Sequence, residues 1–211
     1  MNVMNRIQLP GFLGILLLVI APAFASEPAP APQAPPMLIR GTVGKLDGQV
    51  LTVNSRNGQK LSITLAPDLK VAAVVKRNLT DIKAGDYVAS TSRRGSDGAL
   101  HAIEVHVFPE EMRGVGEGQY PWDLGTDSLM TNATVTGIAS APQGQKLKVS
   151  FKGSESEYVV APDVPVVGFA PGDTTLLKPG AAVFLFAVKK EDGGLLTNNI
   201  TAEKDGVKPP M

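Results

Sequence analysis

Downstream of residue 37 the chain alternates apolar and polar residues in short runs that stop at turn pairs. Leu51 and Val53 fall on one face of a run, and Leu61, Ile63 and Leu65 on one face of the next. The runs are punctuated by Asp47-Gly48, Asn57-Gly58 and Asp97-Gly98. A period of two between such pairs predicts β-hairpins. The predicted strands are 38–45, 49–54, 60–65 with a resumption at 70–75, 86–92 and 99–108. Pro67 separates the third run from its resumption, because proline donates no hydrogen bond to a ladder. Residues 79–84 read as a short helical turn stopped by Gly85. A second series follows at 134–140, 146–151, 155–160, 164–169, 182–188 and 195–203.

The second series repeats the first. Ala66-Pro67-Asp68 returns as Ala161-Pro162-Asp163, Lys83, Gly85 and Val88 as Lys178, Gly180 and Val183, and Asp97-Gly98-x-Leu100 as Asp192-Gly193-x-Leu195, all 95 residues on. Gly48-Gln49-x-Leu51-x-Val53 matches Gly144-Gln145-x-Leu147-x-Val149 at a spacing of 96, so one residue is lost in a turn. A duplication of this length implies two copies of one small unit. Five strands with a helical connection between the third and fourth, in about seventy residues, suit a closed Greek-key barrel of the OB kind. The expected fold is therefore all-β: two tandem five-stranded OB-like barrels, 38–108 and 132–204, joined by a strap at 109–131 and followed by a tail at 205–211.

Gly41-x-Val43, Asp47-Gly48, Leu51-x-Val53, Lys83-Ala84-Gly85-Asp86-x-Val88 and Asp97-Gly98-x-Leu100 resemble a bacterial family of exported barrel domains of unknown function. Over 38–204 the chain is similar to small proteobacterial periplasmic proteins built from two such units. Some of these are labelled metal transporter permeases, a label that needs several membrane-spanning helices. No segment after the leader is long and apolar enough to supply one.

The leader is residues 1–25. Arg6 precedes an apolar run from Phe12 to Ile20, and Ala23-Phe24-Ala25 forms an A-x-A cleavage site before Ser26, the pattern of a secretory signal peptide. Residues 26–37 form a Pro/Ala-rich linker, a semi-rigid extended spacer. The expected location is periplasmic or secreted. The chain has no Cys, so its cores must suffice without disulfides. Its 20 basic and 20 acidic side chains balance. Losing Arg6 with the leader leaves one net negative charge, which argues against nucleic acid or anionic membrane as partners.

Candidate chemistry is sparse. The two histidines, His101 and His106, lie five apart on one strand, so simple alternation points them to opposite faces. His106 and Glu104 share a face and Asp97 is a conceivable third ligand, but zinc wants three or four. No metal and no cofactor is expected. Gly114, Gly116 and Gly118 lack the following helix of a phosphate loop. No nucleophile–base pair stands out, and Glu110-Glu111 lie where nothing excludes water, so the chain reads as not an enzyme. The strap holds Trp122, the only tryptophan. Arg113, Glu117, Tyr120, Trp122 and Asp123, together with Phe184 and Phe186, form the candidate binding residues at the junction. If Val183 and Leu185 fill a barrel, Phe184 and Phe186 point outward, and residues 120–130 are the nearest cover. The functional expectation is a non-enzymatic interaction module with an envelope protein as partner. The alternative is an accessory that handles a metal or small ligand through His101, Glu104 and His106 or the junction.

Overall fold

The computed structural model describes residues 35–210; the signal-peptide reading and most of the linker lie outside them. The strands are β1 (Met37–Asp47), β2 (Val50–Ser55), β3 (Lys60–Lys76), β4 (Tyr87–Arg94), β5 (Leu100–Val107), β6 (Gly118–Pro121), β7 (Ser128–Ala141), β8 (Gly144–Phe151), β9 (Ser154–Val160), β10 (Val166–Gly172), β11 (Ala182–Lys189) and β12 (Leu195–Ala202). Three single-turn 3-10 helices sit at Leu79–Asp81, Glu110–Met112 and Thr174–Leu176. The alternating runs became strands and the Gly-containing pairs became turns. β6 is an addition: part of the strap pairs with β7 from Gly118↔Asn132 to Pro121↔Leu129.

All twelve strands belong to one sheet, and its main path runs β12-β11-β1-β2-β3-β10-β5-β4-β7-β8-β9. A parallel pairing of β12 with β3 closes a five-stranded barrel, β12-β11-β1-β2-β3. At the other end of the path β5 meets β9 at Leu100↔Tyr158 and His101↔Val159, which joins β5-β4-β7-β8-β9 into a second circuit. The expectation that each repeat closes a barrel of its own is corrected by these pairings. The first ring takes β1–β3 from repeat 1 and β11–β12 from repeat 2, and the second takes β4–β5 from repeat 1 and β7–β9 from repeat 2. Strands therefore exchange between the repeats in both directions. The physical opening for this is the length of β3. Its ladder to β12 jumps from Leu65 to Lys70 around Pro67, then continues to Ala73. Chain that could have turned back to close repeat 1 runs on instead and pairs with β10.

The exchange is symmetric in register. β3 and β10 pair antiparallel from Val71↔Gly172 to Lys76↔Val167, with Val74 opposite Phe169. Val74 and Phe169 are 95 apart, so each is the repeat-equivalent of the other. The ladder is thus centred on a pseudo-twofold axis. The parallel pairs Val166↔Val105, Val167↔His106 and Gly168↔Val107 recur, shifted by the repeat, as Val71↔Ile200, Ala72↔Thr201 and Ala73↔Ala202.

Each ring encloses a core drawn from both repeats. In the first, Ile39, Val43, Leu51, Val53 and Ile63 meet Val183, Leu185, Ile200 and Ala202. In the second, Val88, Leu100 and Val105 meet Val135, Leu147, Val149, Tyr158 and Val160. Gly85 and Gly180 hold equivalent places after the first and third helical turns, both at positive φ (92° and 87°). Each donates across the exchange, Gly85 N–H to the Val135 carbonyl and Gly180 N–H to the Val43 carbonyl, both at 2.8 Å.

Candidate functional site

Alternation along β11 buries Val183 and Leu185 in the first core and turns Phe184 and Phe186 outward. Phe184 is covered, packing with Ala89, Met130, Leu38, Phe108, Tyr120 and Trp122 between the rings. Phe186 is not and stays 43 % exposed. The two rings meet edge to face, 5.2 Å between centroids.

The sequence-derived list misses Arg40, which organises this cluster. Arg40 pairs with Phe184 across the β1–β11 ladder. Its guanidinium lies 5.4 Å from the Phe184 ring centroid and 5.6 Å from that of Trp122, the geometry of a cation between two π faces. Nη1 and Nη2 donate to the two Asp123 carboxylate oxygens at 2.7 and 2.8 Å. The Arg40 side chain is only 9 % exposed and that of Asp123 is 55 % exposed. Tyr120 meets Trp122 edge-on at 6.1 Å. The result is one row, Tyr120, Trp122, Arg40, Phe184 and Phe186, open to solvent at the Phe186 end. Arg40 is one of many charged residues in strands, and no sequence signal marks it as the strap's anchor.

The remaining junction candidates have other partners. Arg113 donates to Glu110 at 2.6 Å and to the Gly85 carbonyl at 2.9 Å, and lies over Tyr87 at 5.9 Å. Its hydrogen bond holds the exposed Glu110 carboxyl below the usual range. Glu117 accepts from the Lys152 backbone N–H at 3.0 Å. Tyr87 donates its hydroxyl to the Val115 carbonyl at 3.1 Å. Burial, and then the nearby Glu117 and Tyr120, push the Tyr87 phenol up to about 12 against an opposing pull from Arg113. The strap is fastened to the rings along its length, through Tyr87, Lys152, Arg93 and Arg40.

The histidines correct the expectation of opposite faces. The β4–β5 register shifts between Thr91↔Glu104 and Ser92↔Ala102, leaving Ile103 as an extra residue. Such a bulge resets alternation. His101, Glu104 and His106 therefore stand opposite Arg93, Thr91 and Ala89, which share the outer face of β4. Sharing a face does not bring the histidines together. His101 is half-buried and lies 3.0 Å from the Asp97 carboxylate, whose pKa that contact lowers, aided by the Ala99 N–H. His106 and Glu104 are buried, with Nε2 and Oε2 3.7 Å apart and neither hydrogen-bonded among the described residues. The other Glu104 oxygen accepts from the Thr91 hydroxyl at 2.5 Å. Among the described residues no three or more His, Cys, Asp or Glu side chains gather as a metal site. No helix among them is long and apolar enough to cross a membrane.

Among the described residues, clefts open to solvent include one between Lys178–Ala181 and Glu203–Gly206 and another around Arg94, Leu100, Lys146 and Glu157. Neither is lined by a residue of the candidate list. No family model, curated protein or solved structure matches the chain.

Proposed function

We propose that this chain is a non-enzymatic binding module of the bacterial envelope, and that it takes a protein partner on the apolar outer face of β11. The observation that carries the reading is the exposure of Phe186. Leu38 is its cross-strand neighbour, and Val188, 39 % exposed, stands two residues on and opposite Leu196 on β12. Contiguous exposed apolar side chains beside a fully used aromatic cluster fit a protein-binding surface. The periplasmic location, the OB-like description of the rings and the resemblance to two-unit exported barrel proteins belong to this proposal. The leader sequence and the turn motifs support them. A Phe186→Asp variant tests the reading. A partner captured from envelope extract by the wild-type protein should be lost with the variant while the far-UV CD spectrum is unchanged. Equal capture by both proteins overturns it.

A second reading, an accessory that handles a metal or small ligand, draws on the buried Glu104–His106 pair and its two unpartnered atoms. Two ligands fall short of the three or four that zinc takes. The expected outcome is no stoichiometric zinc or copper after dialysis. Retained metal that disappears in His106→Ala would move the assignment to this second reading.

A further inference from the structure

Each half of this chain presents to the other a surface without which neither closes a ring. β1–β3 need β11 and β12, and β7–β9 need β4 and β5. The surface is self-complementary: the β3–β10 ladder pairs Val74 with its own repeat-equivalent Phe169, and the flanking parallel ladders match shift for shift. A single connection joins the halves, the segment between Val107 and Ser128.

We propose that a second copy of the chain fits this surface: repeat 1 of one copy completes both rings with repeat 2 of another, giving a reciprocally exchanged dimer. Every ladder of the two rings is retained in that dimer: those within a repeat stay within one copy, and those between repeats (β1–β11, β3–β12, β4–β7 and β5–β9) form with the other copy. Only the strap has to open. It is suited to opening, since Gly114, Gly116, Gly118 and Gly125 all hold positive φ and its β6 spans only four residues. About 20 residues of extended chain reach roughly 65 Å, enough to run between two exchanged bodies. Opening gives up the strap's fastenings: Arg40 with Asp123, Arg93 with the Leu124 carbonyl, Tyr87 and Asn132 with the Val115 carbonyl, Glu117 with Lys152 N–H, the short β6–β7 ladder and the packing of Tyr120 and Trp122 against Phe184, all of which can re-form around the exchanged bodies. Exchange of identical elements through a hinge is a low-cost route to a dimer. The tether gives the closed monomer an effective local concentration in the millimolar range. The monomer therefore prevails when the chain folds in dilute solution, and the exchanged dimer grows in when it folds near that concentration. The proposal rests on the strand pairings and is independent of the binding face on β11.

The absence of cysteine from the sequence makes a clean test possible. Thr42 and Ala182 are paired across β1 and β11 and come from different repeats, whereas Thr42 and Asn54 are paired within repeat 1. Directly paired positions bring Cβ atoms within disulfide reach. The full-length double variant Thr42→Cys/Ala182→Cys is unfolded in denaturant, refolded at about 10 µM or about 1 mM, then oxidised after dilution to one common low concentration. Non-reducing gels should show internally linked monomer from the dilute sample and covalent dimer, increased at least tenfold, from the concentrated one. Thr42→Cys/Asn54→Cys should give internal linkage from both. Internally linked monomer from the Thr42→Cys/Ala182→Cys protein at both concentrations overturns the proposal, as does equal dimer formation by the within-repeat pair. A separate measurement without new thiols is light scattering of the wild-type chain after the same two refoldings. A dimer fraction confined to the concentrated sample is expected, and monomer throughout overturns the proposal.

Discussion

Arg40 holds one cation between two aromatic faces and closes the stack with a carboxylate from a segment 83 residues away. Truncating Asp123 leaves a nearly buried guanidinium without its counter-charge, which costs about 1–3 kcal/mol. Asp123→Ala should lower the urea midpoint accordingly and, since Trp122 is the only tryptophan, make its fluorescence more accessible to iodide. An unchanged midpoint and quenching constant would show that the stack holds without the ion pair. Tyr87 supplies a pH dependence. Its folded-state pKa lies above the unfolded value of 10, so its stabilisation is fully present below pH 10 and is lost as pH rises toward 12. A difference of two units corresponds to about 2–3 kcal/mol at most. Stability measured from pH 9.5 to 11.5 should fall less steeply in Tyr87→Phe than in the wild type. The same variant should lose about 1 kcal/mol at pH 7 with its bond to the Val115 carbonyl; parallel slopes would remove Tyr87 as the cause. At this scale the sequence was legible where a side chain is rare or large. Trp122, Phe184 and Phe186 announced themselves, whereas Arg40 is defined only by what the fold places around it.

At the scale of elements, period-two runs and Gly-containing turn pairs carried most of the information. Alternation decided the directions of Val183 to Phe186 without any knowledge of the tertiary fold. Alternation failed on β5, where Ile103 adds a residue to the ladder and moves His101 and His106 onto one face. The bulge depends on how β5 pairs with β4, and a pairing is not a property of either strand's sequence. Gly85 and Gly180 stand at the opposite extreme, each ending a motif visible twice in the sequence. Both sit in a left-handed conformation that costs a side-chain-bearing residue about 1–2 kcal/mol. Gly85→Ala and Gly180→Ala should each destabilise by that amount, and the double variant by roughly the sum, since the sites lie in different rings. Thermal melts at matched protein concentration would check both the single values and their additivity.

For the whole molecule, the spaced motifs were legible and the strand exchange was not. Motifs shared at a constant spacing pointed to two units, yet the same hydrophobic faces satisfy a ring closed within one stretch of chain or across two. What separates the two arrangements is where the chain goes after Pro67, and β3 running straight into the β10 ladder decides it. β10, laddered to β3 of the first ring and to β5 of the second, also couples the rings energetically. Urea unfolding followed by Trp122 fluorescence and by far-UV CD should give one coincident transition; two resolved transitions would mean that the rings unfold as separate bodies.

The pseudo-symmetric ladder has a consequence in time as well as in space. A polypeptide is made from its N-terminus, and a barrel closed within residues 38–108 could form while the rest was still being synthesised. Here the first strand of the fold waits for the last two, because β1 pairs with β11 and β3 with β12. Nascent repeat 1 leaves the ribosome with Leu51, Val53 and Ile63 uncovered, and they stay so until Leu185 and Ile200 have been added. Contacts this distant in sequence also make folding slow. The first ring therefore cannot close until nearly the whole chain has been synthesised, so the order of synthesis and the order of closure run apart.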